Sequence, residues 1–416
     1  MEEKVTVIDS ITKKYVDHFV PKNGTGIAQA FALHEEVIEK YSSEDTLRSL
    51  NVDGCRVNTG RNNGMIKYVE DILNRSLQWI VCLLHLNELL LRHLFGEKDG
   101  WCKGPDAYIG PLGKLIAVKS GLVRSPLVNF QTIESKVEET DYTIDNNDTQ
   151  LLYKLSHFVG SGHESQYRPA FDHKPGKVCQ SRWVTTASNL LMLFCQTLNP
   201  TPNQIVLIQF IQGCYAPMLF LIKNNSHVTN GSRLFFEMMM LAKASLSAND
   251  FKIVKKVLQD NPFWAHPENI LLSMVWDDDR RVRRKGVECI IRARRILSDA
   301  NYDEVRHFNT FRIGKLLNEN ATNYHEIIDL TKAKPEECNP PLLKDFSDEA
   351  LEGCIDGPDL ETDSIPCHSQ EVERNVALTS RASDKNIGYA KRHAFILSCE
   401  DSFKKLPMRA TKRNFT

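Results

Sequence analysis

Short apolar segments at Val5 to Ile8 and Tyr15 to Val20, with polar residues between them, predict the two strands of a hairpin. Gly24 and Gly26 punctuate the chain. Ile27, Phe31, Val37 and Ile38 then recur at helical spacing and predict a helix over 27–41. Leu47 to Val52 predicts a short strand. Met65, Val69 and Ile72 predict a helix over 63–74. Leu77 to Cys82 predicts a buried strand, and Leu86, Leu89, Leu90, Leu91 and Leu94 a helix over 84–96. The order is β-β-α-β-α-β-α.

The pattern then changes. Gly100, Gly104, Pro105, Gly110, Pro111 and Gly113 make 97–125 a long loop, and 134–150 is acidic, polar and loose. From 182 to about 335 the periodicity is helical, in segments near 184–197, 203–222, 231–245, 250–258, 266–276 and 279–297. Pro335, Pro340, Pro341, Pro358 and many acids give 335–365 the composition of a linker. Residues 366–383 read as helical, and the last twenty are basic. The division that follows is 1–125, a connecting segment 126–181, a helical domain 182–335, a linker 336–365 and a C-terminal segment 366–416.

At 416 residues the chain can hold two or three domains. Lysines and arginines (52) balance aspartates and glutamates (53), which excludes a protein basic throughout but leaves room for a local basic face. Eleven cysteines, an odd number without C-x-x-C spacing, indicate a reducing compartment with free thiols. No 18-residue apolar run stands out, so no membrane partner is expected. The acidic start Met1-Glu2-Glu3-Lys4 is unlike a signal peptide, and the expected location is nuclear or cytoplasmic.

Asp53 carries the strongest chemical signal. It ends the apolar segment Leu47, Leu50, Val52 and opens Asp53-Gly54-Cys55-Arg56-Val57-Asn58-Thr59-Gly60. A carboxylate at a strand tip in a βαβα alternation suits metal-dependent phosphoryl transfer. Mg²⁺ keeps several waters and takes few protein carboxylates, and paired ions stabilise attacking and leaving oxygens. The plainer reading is a turn-forming Asp-Gly. Cys82 and His85 have half a zinc-site spacing, with Cys367-His368 far away. Their plainer reading is a buried thiol and a core histidine. Arg280, Arg281, Arg283, Arg284, Lys285, Arg292, Arg294 and Arg295 share a stretch with one acid, Glu288. Such density could neutralise phosphates or form a solvated helix face, and Asp277-Asp278-Asp279 at its start partly offsets it. The five tryptophans read as core. Gly113-Lys114 lacks the preceding glycine of a phosphate-binding loop.

Five segments in order resemble the hobo/Activator (hAT) family of DNA transposases, in a divergent invertebrate branch. They are the Asp53–Gly60 run, Leu77-Gln78-Trp79 with Cys82-Leu83-Leu84-His85, Arg182-Trp183-Val184-Thr185-Thr186, Asn261-Pro262-Phe263-Trp264-Ala265-His266-Pro267-Glu268-Asn269, and Pro366-Cys367-His368-Ser369-Gln370-Glu371-Val372-Glu373-Arg374. The likeness covers about residues 3–415. The resemblance implies an α/β RNase H-like core, β-β-β-α-β-α-β-α with its first strand missing here, interrupted by a large all-α insertion. It makes Asp53 the second acid and Glu373 the last acid of a D-D-E set that holds Mg²⁺ or Mn²⁺. It sets Cys82 and His85 near the active site, and Trp183 with Arg182 near a DNA end. Arg281, Arg284 and Arg295 are further DNA-binding candidates from the basic stretch. The implied partners are transposon-end DNA and a second copy in a homo-oligomer.

Two features depart from the family. Its first aspartate lies upstream of Met1, since Asp9 and Asp17 fall on later strands, and its N-terminal zinc finger is absent. The expectation is a transposase-derived chain that is catalytically incomplete and binds its metal weakly or not at all. The alternatives are a domesticated, non-enzymatic DNA-binding or dimerising protein, and a longer chain whose upstream segment restores the first acid.

Overall fold

The structure, a computed structural model, describes residues 5–9, 15–60, 62–102, 107–117, 126–138, 147–163, 165–173, 182–265, 267–298 and 317–357. Strand β1 (Val5–Ile8) pairs antiparallel with β2 (Tyr15–Phe19), Val5 opposite Phe19. Helix α1 (Gly26–Leu33) starts where the Thr25 hydroxyl accepts the Ala28 N–H, which satisfies one of the helix's orphan donors. A Cβ on Gly26 would collide with the carbonyl oxygens of Asn63 and Val57, so this close approach needs glycine. The expected helix 27–41 changes midway into a π turn, His34–Ile38. Strand β3 (Ser49–Val52), helix α2 (Arg56–Thr59), helix α3 (Met65–Leu73) and strand β4 (Gln78–Val81) follow. Strands β3 and β4 are parallel, Ser49 beside Gln78 and Val52 beside Val81. Asn74, with φ 48°, ends α3 in the left-handed conformation that asparagine tolerates.

Strand β4 is buried on both faces. Successive side chains point to opposite sides, so Trp79 packs with Phe19, Ile66, Val69 and Leu77, whereas Ile80 enters a second, larger core. One buried acid fixes the strand's entry. Glu70 on α3 accepts the Leu77 N–H at 2.9 Å and the Trp79 indole N–H at 3.0 Å through the same Oε1. The two cores are joined through β4, where Gln78 Nε2 donates to Asn269 Oδ1 at 2.6 Å in a buried contact.

The larger core is helical: α4 (Leu83–Asp99), α5 (Pro111–Ala117), α6 (Asn147–Ser161), α7 (Arg182–Cys195), α8 (Pro202–Asn224), α9 (Gly231–Ser245), α10 (Ala248–Gln259), α11 (Glu268–Val275), α12 (Arg280–Ser298) and α13 (Asp348–Gly353). Helix α8 is long and apolar enough to cross a membrane, contrary to the expectation that no such run exists. Gln204 and Gln212 interrupt it in sequence, yet both are buried, and Gln212 donates to the carbonyls of Ile133 and Ser156. Of its 18-residue apolar window, 78% is buried inside the protein.

The packing crosses several of the expected segments. The hydrophobic cores part within β4, and α4 packs in the larger one. The stretch 97–125 contains α5. Within 126–181, Leu151, Leu152, Leu155, Phe158 and Val159 of α6 are buried. The stretch 336–357 packs on the helices. Pro335 and Pro341 start 3₁₀ turns, and Cys338, Leu343, Leu351 and Cys354 are buried against the helices. Among the described residues the sheets are two separate pairs, β1-β2 and β3-β4, and not one continuous RNase H-like sheet. The segment 366–383 lies outside the described residues.

Candidate functional site

The site is built at the carboxyl ends of the parallel pair, where open α/β sheets commonly hold ligands. Asp53 follows β3 directly and is exposed. Its Oδ1 accepts the Cys55 N–H at 3.0 Å and Asn58 Nδ2 at 2.8 Å. Those bonds form the Asx turn expected of an Asp-Gly pair, so the turn reading holds, while the carboxylate stays open to solvent. Burial pushes the Cys55 thiol up to about 11, and its hydrogen bond to Asp53 adds to the shift, so this thiol stays protonated.

Strand β4 brings the second motif alongside. The Cys82 N–H donates to the Val52 carbonyl at 2.9 Å and extends the ladder to the residue before Asp53. Cys82 is the N-cap of α4, and His85 lies in that helix's first turn. A Cβ on Gly54 would stand 3.4 Å from His85 Cδ2, 3.5 Å from Val81 Cγ1 and 3.6 Å from Pro262 Cγ. The loop after β3 therefore packs on the histidine ring. Pro262, from a third motif, closes the same corner.

Burial holds the His85 imidazole below its ordinary value. Asp53 acts in the opposite direction by favouring the charged ring, and Arg92 lowers it further. Asp53→Asn keeps the turn but removes the charge, so the His85 pKa falls further in this variant. An NMR titration of the ring measures it, and an unchanged value excludes their coupling. The folded pKa lies below the unfolded value of about 6.5, so the unfolded chain binds the extra proton. The contribution is complete above pH ~6.5 and lost as pH falls toward the folded pKa.

The other candidates lie elsewhere. Trp183 is 4% exposed and edge-on to Phe95 at 6.0 Å, within the helical core. Arg182 is the first residue of α7. Arg281, Arg284 and Arg295 share one exposed face of α12 with Lys285, Glu288 and Arg292, at spacings of three to four residues. Arg281 pairs with Asp279 at 2.8 Å. Arg283 and Arg294 turn inward to carbonyls, so the basic stretch is part surface and part scaffold. Glu373 lies outside the described residues.

Sequence reasoning missed two features. A cleft of about 500 Å³ opens at the start of α12, lined by Asp277, Asp279, Arg281, Lys285, Asn323 and His325. Beneath it Asp277 accepts from Arg233 at 2.9 Å and from the Tyr324 hydroxyl at 2.5 Å. The second feature is on the π turn, where His34 Nδ1 meets Glu39 at 3.3 Å and Nε2 meets Glu44 at 3.2 Å. The i, i+5 separation of His34 and Glu39 was visible but matched no helical face, because only a π turn aligns it.

A hard cation of the Mg²⁺ type is held by one or two carboxylates, several waters and substrate phosphates, and Asp53 offers one carboxylate here; the His34, Glu39 and Glu44 ligand atoms lie within 4.8 Å of one another. Asp53 is the one acid that acts on His85 among the described residues. No family model, no curated protein and no solved structure matches this chain.

Proposed function

We propose that the chain derives from a hAT-type DNA transposase, keeps that family's carboxylate position at the end of a parallel strand pair, and does not cut or join DNA by itself. One observation carries the reading. Asp53 and the Cys82/His85 pair come from separate motifs and meet at the carboxyl ends of β3 and β4. A divalent cation at such a carboxylate would polarise a phosphoryl oxygen and activate water. The chain's own contribution is to orient the Asp53 carboxylate through Cys55 and Asn58 and to hold a neutral imidazole beside it. Strand transfer requires further carboxylates, and the described residues supply one at this corner.

The test uses the full chain with hairpin and flanked duplex oligonucleotides in Mg²⁺ or Mn²⁺. Neither the wild type nor Asp53→Ala is expected to produce cleaved or joined product. Cleavage by the wild type that disappears in Asp53→Ala overturns the incompleteness.

The second reading, a DNA-binding protein without catalysis, is favoured by the exposed Arg281, Arg284 and Arg295 face of α12. Each phosphate contact contributes about 0.9 to the slope of log affinity against log salt. Replacing these three arginines by glutamine therefore reduces the slope by about 2 to 3. An unchanged slope removes α12 as the contact surface.

A further inference from the structure

Helix α12 carries a second chemistry on its inner edge. Cys289 is half-buried there, and Cys338 is buried at the end of the 3₁₀ turn Pro335–Cys338. The 3₁₀ turn packs on α12 and sets the Cys338 thiol beside the Cys289 sulfur. Arg292 Nη2 stands 3.9 Å from the same sulfur, and Lys285 acts on it from one turn earlier. The partner segment is firmly held. Glu337 accepts the Lys334 N–H at 2.7 Å and closes the turn. Arg294 donates to Asn339 Oδ1 and to the carbonyls of Leu343 and Phe346 just beyond it.

We propose that Cys289 and Cys338 form a peroxide-responsive dithiol, in which Cys289 is the attacking sulfur and Cys338 the resolving one. Reactive cysteines are marked by an electropositive, partly exposed setting next to a resolving thiol. Cys289 has each of these. The neighbouring Cys338 thiol and then Arg292 and Lys285 favour its thiolate against the opposing effect of burial. Cys338 is held in its protonated form by the nearby Cys289 sulfur and by burial.

The oxidant is hydrogen peroxide. The Cys289 thiolate attacks one peroxide oxygen and the O–O bond breaks. This yields a sulfenic acid and a hydroxide, which takes a proton from solvent. The Cys338 sulfur then attacks the Cys289 sulfur. The S–S bond forms, the S–O bond breaks, and the leaving hydroxide departs as water with the Cys338 proton. Two thiols lose two electrons, and one peroxide becomes two waters. The new bond would tie α12 covalently to the segment that Arg294 already docks on it.

The experiment treats the reduced full chain with hydrogen peroxide, blocks remaining thiols with an alkylating agent, and maps the peptides by mass spectrometry. The wild type is expected to lose two alkylatable thiols, Cys289 and Cys338, as one disulfide that dithiothreitol reverses. In Cys338→Ser, dimedone is expected to trap a sulfenic acid on Cys289. Both thiols remaining alkylatable in the wild type while other cysteines oxidise would overturn the proposal. So would Cys289 passing to sulfinic acid with Cys338 still reduced. The wild-type map decides the matter even where the serine variant does not fold.

Discussion

Glu70→Ala destabilises the protein by about 4 kcal/mol, because it orphans two buried donors at roughly 1–3 kcal/mol each and leaves a small cavity. Both the Leu77 N–H and the Trp79 indole N–H depend on the Glu70 Oε1 atom, and Glu70 is fully buried. The damage falls on the site as well as on stability, since β4 delivers Cys82 and His85 to the corner beside Asp53. Glu70→Gln keeps an acceptor and costs about half as much. Urea unfolding with an unchanged denaturant slope measures both effects. A loss below about 1 kcal/mol in the alanine variant contradicts the anchoring role.

Arg294→Ala costs about 2–3 kcal/mol. Its guanidinium donates to the Leu343 and Phe346 carbonyls and pairs with Asp348 at 3.3 Å, while only 17% of the side chain is exposed. The effect is local in space. Amide exchange in 339–353 is expected to accelerate by one to two orders of magnitude, with β3 and β4 unaffected, because the segment opens as its own unit. Arg294→Lys does not restore protection, since one ammonium cannot span the same carbonyls in a fixed fork. Uniform acceleration through the whole protein would show that the segment is not a separable unit.

Much of the N-terminal frame was legible because its pattern is local. The hairpin, both parallel strands and α3 follow from apolar spacing, and Asp53 stood out as a carboxylate just past a strand. The burial of polar residues was not legible. Glu70 and Gln78 look like surface positions, yet each is fully buried and spends its polar atoms on β4 or α11. Helix α6 was hidden by the polar residues Asn147 to Thr149 at its start, although its buried leucines keep helical spacing. Segment 336–357 has the composition of a linker because docking through Arg294 and the buried Cys338 is a tertiary event. Trp183 read as core from its residue type, and its place near a DNA end came only from the resemblance; the ring meets Phe95.

The most direct test of the Asp53 site is Mn²⁺ titration of the full chain, followed through paramagnetic broadening of the histidine ring resonances. The account predicts saturable broadening of His85 that is lost in Asp53→Asn. Broadening of His34, beside Glu39 and Glu44, with His85 unaffected would contradict it and put the cation on the π turn instead.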